Sequence, residues 1–137
     1  MNRQQLAGRI DHTLLKAEAA RPQVHRVVAE AIEHRFASVC VNGCFVADVA
    51  KALHGSDVLT CAVVGCPLGA NKATIKAIEA TSAVKDGATE IDIVAHLPHL
   101  LKCDKAQAKA ELMEIVRAVR SARSTTVVKV IIESALL

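Results

Sequence analysis

Short apolar, β-branched runs alternate along this chain with segments whose apolar positions recur every three to four residues. The two periods read in turn as strands and helices. The first strand falls at residues 10–15, and a helix follows at 22–35. Pro22 suits its first turn, and Val24, Val27, Val28, Ala31 and Ile32 make one stripe. The second strand, 37–41, ends at the turn signal Asn42-Gly43, and a short helix covers 45–53. The third, 58–64, stops at Gly65-Cys66-Pro67-Leu68-Gly69, where proline and glycine end strand pairing. A helix over 72–85 carries Ile75, Ile78 and Val84, with Gly87 as its stop. After the fourth strand, 90–95, a loop leads to Asp104, a good N-cap for a helix to about residue 121. That helix is expected to bury Ala108, Leu112, Ile115, Val116 and Val119, and a fifth strand spans 126–133.

Five strands with four intervening helices predict an α/β protein with a parallel sheet and right-handed crossovers. Two architectures fit. An open doubly wound sheet usually carries Gly-x-Gly-x-x-Gly after its first strand, and none stands here. A (β/α) barrel closes with eight strands and about 250 residues, more than this chain supplies. The pattern alone leaves both open.

Charged residues inside the strands change that picture. Asp92 sits in Ile91-Asp92-Ile93-Val94, and Lys129 in Val127-Val128-Lys129-Val130-Ile131-Ile132. Period two puts Ile91, Ile93 and Ala95 on one face, and Glu90, Asp92 and Val94 on the other. In the fifth strand Val128, Val130 and Ile132 oppose Lys129, Ile131 and Glu133. Helix-covered faces of a parallel sheet must be apolar, so Asp92 and Lys129 are expected to point into a cleft or a barrel interior. Burying either charge alone costs several kcal/mol, which predicts pairing with each other or with a substrate. A structural ion pair and a proton-transfer pair both satisfy that demand. Asp11 is a third carboxylate at a strand end, equally able to cap a local turn.

Composition narrows the function classes. Of 137 residues, 52% are hydrophobic and 23% charged, which is globular. Aromatics are limited to Phe36 and Phe45, too few for a stacking-based single-strand nucleic-acid binder. The net charge of +3 is dispersed, so no nucleic-acid partner is expected. No apolar stretch reaches the roughly 18 residues of a membrane span, and Met-Asn-Arg-Gln-Gln is unlike a secretory start; the expectation is a soluble cytoplasmic protein. The five cysteines are odd in number, which argues against a disulfide framework. Cys40 and Cys61 lie in β-branched runs, where cysteine acts as a small core hydrophobe. Cys40 to Cys44 and Cys61 to Cys66 are only loosely compatible with zinc-ligand pairs, and without a tight Cys-x-x-Cys pair no structural zinc site is expected. His96 and His99, beside Pro98, read as loop residues.

Six motifs in order then carry a resemblance. They are Asp11-His12-Thr13-Leu14-Leu15-Lys16, Val39-Cys40-Val41-Asn42, Val63-Val64-Gly65-Cys66-Pro67-Leu68-Gly69-Ala70, Lys76-Ala77-Ile78-Glu79-Ala80, Asp86-Gly87-Ala88-Thr89-Glu90-Ile91-Asp92-Ile93-Val94 and Lys129-Val130-Ile131-Ile132-Glu133. Together they closely resemble the deoxyribose-phosphate aldolases, over essentially the whole chain. The resemblance implies a TIM-type barrel and a metal-free, Schiff-base lyase. The family reaction reversibly cleaves 2-deoxyribose 5-phosphate to acetaldehyde and glyceraldehyde 3-phosphate. By the same resemblance, Asp92 matches a proton-relay aspartate and Lys129 a strand-five lysine beside the active site. Cys40 matches a pocket cysteine open to modification by aldehydes, and Asp11 an aspartate near the substrate's hydroxyl end.

Two loops depart from the family pattern, at Cys66, where phenylalanine is usual, and at Ala95-His96-Leu97-Pro98-His99. The family's Schiff-base lysine, second relay lysine and phosphate-binding loops belong to strands six to eight and match nothing here. The expectation is therefore an incomplete barrel domain over 1–137, with weak sugar-phosphate binding and no appreciable activity alone. Open sheet edges predict a homodimer or larger homo-oligomer. A non-catalytic, self-assembling half-barrel and one piece of a split enzyme are the alternatives.

Overall fold

The computed structural model describes residues 1–137. Its strands are β1 (Asp11–Leu14), β2 (Ser38–Val41), β3 (Leu59–Val64), β4 (Glu90–Val94) and β5 (Val127–Ile131). They form one all-parallel sheet in chain order. The connecting helices are α2 (Arg21–His34), α3 (Val46–Ala52), α4 (Ala73–Lys85) and α6 (Lys105–Ala122), each where the period predicts it. Two short helices add to that count. α1 (Arg3–Ala7) starts at a reciprocal cap between Asn2 and Gln5, and α5 (Leu97–Leu101) occupies the expected Pro98 loop. Asp104 caps α6 as anticipated, its Oδ1 accepting the Gln107 N–H at 3.1 Å. No helix is long and apolar enough to cross a membrane.

Strand alternation divides the apolar residues between two faces. Val39, Val41, Ala62, Val64, Ile91 and Ile93 turn outward and pack beneath α2, α3, α4 and α6 in one continuous core. Ile91, Ile93 and Ile115 are completely buried there, each worth about 1.5–3 kcal/mol of apolar burial. The alternate residues Cys40, Cys61, Val63 and Val94 form a smaller cluster on the inner face, with Ile131 packed against it.

The sheet is strongly curled. Laid flat, four inter-strand spacings of about 4.8 Å would hold β1 and β5 about 19 Å apart, beyond the joint reach of a lysine and an aspartate. Yet Lys129 Nζ on β5 lies 2.6 Å from Asp11 Oδ2 on β1. Side chains of the two outermost strands thus meet across the concave face, as they do across the filled interior of a small barrel. This contact decides for barrel curvature over the open doubly wound sheet.

Helix α4 corrects the expected apolar stripe. Ile75 and Ile78 are 50% and 67% exposed, whereas Ala77, Ala80, Ala83 and Val84 face the core. The buried stripe is the one with small residues, which let α4 lie close against β3, β4 and α6. Ile32 is likewise exposed at the edge of the α2 stripe, and Glu111 is buried on α6 where Leu112 and Val116 are only half-buried.

Candidate active site

β4 and β5 place Asp92 and Lys129 side by side, since the two residues are register partners. Both point to the inner face because Ile91, Ile93 and Val128 occupy the helix-covered one. From β1, Asp11 reaches the same point. The Lys129 ammonium lies 2.6 Å from Asp11, 3.0 Å from Glu90 and 3.1 Å from Asp92. One cation thus sits among three carboxylates. Only the contact with Asp11 has hydrogen-bond geometry, so Asp92 Oδ1, buried from solvent, has an ion-pair partner but no hydrogen-bond donor. Ser38, buried on β2 directly opposite Asp11 in register, donates from its hydroxyl to Asp11 Oδ1 at 2.6 Å.

Electrostatics follows from this geometry. Burial alone would raise the Asp11 carboxyl, but hydrogen bonds from Lys129 and Ser38 outweigh it and hold the group below its usual value. Partial burial would lower the Lys129 amine. Its hydrogen bond to Asp11 and the nearby negative groups Glu90 and Asp92 overcome that and push it well above the usual lysine value. Lys129 is thereby held as an ammonium at neutral pH, a donor and counter-charge and a poor nucleophile.

Cys40 lies one strand further along, in register with Cys61 on β3, and both are buried on the inner face. Burial, the neighbouring Cys40 and the charge of Asp92 push the Cys61 thiol far above the ordinary thiol value, the contact with Cys40 being the largest cause. All four residues expected from the sequence, Asp11, Cys40, Asp92 and Lys129, therefore stand on the inner face. Asp11, Asp92 and Lys129 meet in one ion cluster.

Sequence reading missed Glu90, Ser38 and Cys61 as members. Glu90 was visible as the same-face neighbour two residues before Asp92. Ser38 and Cys61 became legible only through strand register.

Behind the sheet a second pair was not anticipated. Lys76 of α4, with no exposed surface, donates to Glu111 Oε1 at 2.6 Å and to the Val94 carbonyl at 2.8 Å. The other Glu111 oxygen accepts the His96 N–H at 3.3 Å. Glu79, also on α4, accepts the Gly65 N–H at 3.0 Å. These contacts fix the turn after β3 and the start of the loop after β4, the two segments bordering the C-terminal strand ends. Gly69, at φ +65°, completes the seam: an added Cβ would lie 2.1 Å from the Ala95 carbonyl oxygen.

No family model matches the chain. Among curated proteins, the deoxyribose-phosphate aldolase of Lysinibacillus sphaericus is 46% identical over 134 residues, covering 98% of this chain and 59% of the relative. That of Streptococcus equi subsp. zooepidemicus is 50% identical over 128 residues, covering 93% and 56%. Among solved structures, the tetrameric deoxyribose phosphate aldolase from Aeropyrum pernix superposes with a TM-score of 0.82 at 31% identity, covering 99% of this chain and 56% of that one. The chain spans a little under three fifths of the length of the relatives it matches.

Proposed function

Because this chain is a homologue of the deoxyribose-phosphate aldolases over about three fifths of their length, we propose that it carries the proton-transfer side of a class I aldolase site. The reaction is the reversible cleavage of 2-deoxyribose 5-phosphate to acetaldehyde and glyceraldehyde 3-phosphate. The carrying observation is the convergence of Asp92, Lys129 and Asp11 from β4, β5 and β1 on the inner face.

In this reading an amine outside these 137 residues attacks the substrate carbonyl. A carbinolamine needs a free amine, usually one whose pKa a neighbouring cation depresses. Lys129 has the opposite surroundings, three carboxylates. It serves as the cation that pairs with Asp92 and orients its carboxylate. The Asp92 carboxylate, paired with Lys129 through one oxygen and 14% exposed on the concave side, takes a proton from, and returns it to, a water or hydroxyl beside the reacting carbon. Asp11, held by Lys129 and Ser38, presents a carboxylate to the substrate's hydroxyl end, and Cys40 lines the pocket beside it.

A chimera of this chain with the remaining two fifths of the Lysinibacillus sphaericus enzyme tests the reading. Acetaldehyde release from 2-deoxyribose 5-phosphate is expected from the chimera, and Asp92→Asn is expected to lower kcat by about 10²–10⁴-fold, the usual worth of a positioned acid–base group. A folded chimera without turnover, or one indifferent to Asp92→Asn, would refute it. The 137 residues alone are expected to give no appreciable turnover.

A specific observation also favours self-association. Val127, Val130 and Ile132 at the β5 edge of the sheet are 40–48% exposed, and paired sheet edges would cover them. Sedimentation velocity is expected to show a dimer or larger species at micromolar concentration. A well-folded monomer would contradict it.

A further inference from the structure

Cys40 and Cys61 are neighbours by strand register, twenty-one residues apart in sequence, where no spacing motif could pair them. Their sulfurs and a carboxylate oxygen of Asp92 all lie within 4.8 Å of one another. All five cysteines are free thiols. We propose that Cys40, Cys61 and Asp92 form a binding site for a thiophilic divalent cation, Zn²⁺ or Cd²⁺; it draws on the Asp92 carboxylate of the aldolase reading, but its test needs no turnover.

Three arguments support it. A tetrahedral Zn²⁺ with sulfur at about 2.3 Å and oxygen at about 2.0–2.2 Å holds its ligand atoms roughly 3.5–3.8 Å apart, so these side chains need to close in by only about 1 Å. Two sulfurs and one carboxylate select a borderline-soft ion over Mg²⁺ or Ca²⁺, which take oxygen ligands. Charge also balances. Each thiol binds as a thiolate and gives its proton to solvent, so the two charges of the ion meet two new negative charges and the site's net charge is unchanged. Asp92 can turn an oxygen to the ion because its Oδ1 carries no hydrogen bond, while Lys129 keeps Asp11 and Glu90 as partners. Three protein ligands leave a fourth position for water on the concave side, where the Asp92 side chain is 14% exposed.

The test uses the full chain with its three exposed cysteines replaced (Cys44→Ser, Cys66→Ser, Cys103→Ser), leaving two thiols. Titration with Cd²⁺ is expected to give the ultraviolet thiolate-to-cadmium charge-transfer band, saturating at one ion per chain. Cys40→Ala or Cys61→Ala is expected to diminish the band sharply, and Asp92→Asn to weaken affinity by about 10-fold or more, a loss that even supporting groups of metal sites can cause. Absence of the band, or a band unaffected by Cys40→Ala and Cys61→Ala, overturns the proposal. Should the alanine variants fail to fold, calorimetry of Zn²⁺ binding in two buffers decides on the otherwise intact chain. Release of two protons per ion supports the site, and binding without proton release refutes it.

Discussion

Lys129 is the residue on which the inner face turns, a single ammonium shared by carboxylates from β1 and β4. The sign of its effect on stability follows from the two displaced pKa values. Asp11 titrates below its ordinary value in the fold, so its contribution is full above the ordinary carboxylate range and is lost as pH falls through the lowered value. Lys129 titrates above its ordinary value, so its contribution is full below the ordinary lysine value and is lost as pH rises through the raised one. Lys129→Met is therefore expected to move the Asp11 carboxyl upward and to weaken stability in the neutral range. Carbon-detected NMR titration of Asp11 reads the first effect; an unchanged midpoint would mean that Lys129 is not its partner in solution. Strand alternation made Asp92 and Lys129 legible in the sequence, because a charge flanked by β-branched residues must have a special face to occupy. Asp11 was legible as a strand-end carboxylate and through the resemblance, but its pairing was not: it lies 118 residues from Lys129, and only the curl of the sheet brings them together.

At the scale of elements, the strands were read more securely than the faces of the helices. Every strand lies inside its anticipated span, whereas α4 buries alanines in place of Ile75 and Ile78 and keeps a lysine in its core face. Apolar periodicity weights large side chains, but close helix packing selects small ones, and a buried lysine looks polar until its partner on α6 is seen. Lys76→Met or Glu111→Gln alone leaves an uncompensated buried group. The expected cost approaches the about 3–5 kcal/mol typical of a broken buried pair, while Lys76→Met with Glu111→Leu should recover much of it. Urea denaturation of the three variants checks this; a double-variant loss equal to the sum of the two single losses would show that the pair is not coupled. Gly69→Ala should also destabilise, since it sets a Cβ against the Ala95 carbonyl from a left-handed backbone.

The whole molecule is a sheet curved far enough for its first and last strands to exchange an ion pair, with helices on the convex side and the charged cluster on the concave one. That arrangement divides the labour of the proposed reaction. These residues supply the carboxylates and a fixed cation, and the nucleophilic amine comes from elsewhere, because a lysine held by three carboxylates keeps its proton. Borohydride reduction of the chimera in the presence of acetaldehyde, followed by peptide mapping by mass spectrometry, tests this division most directly. The expected result is a reduced adduct on a lysine outside residues 1–137 with Lys129 unmodified, and an adduct on Lys129 as the principal product would contradict the account.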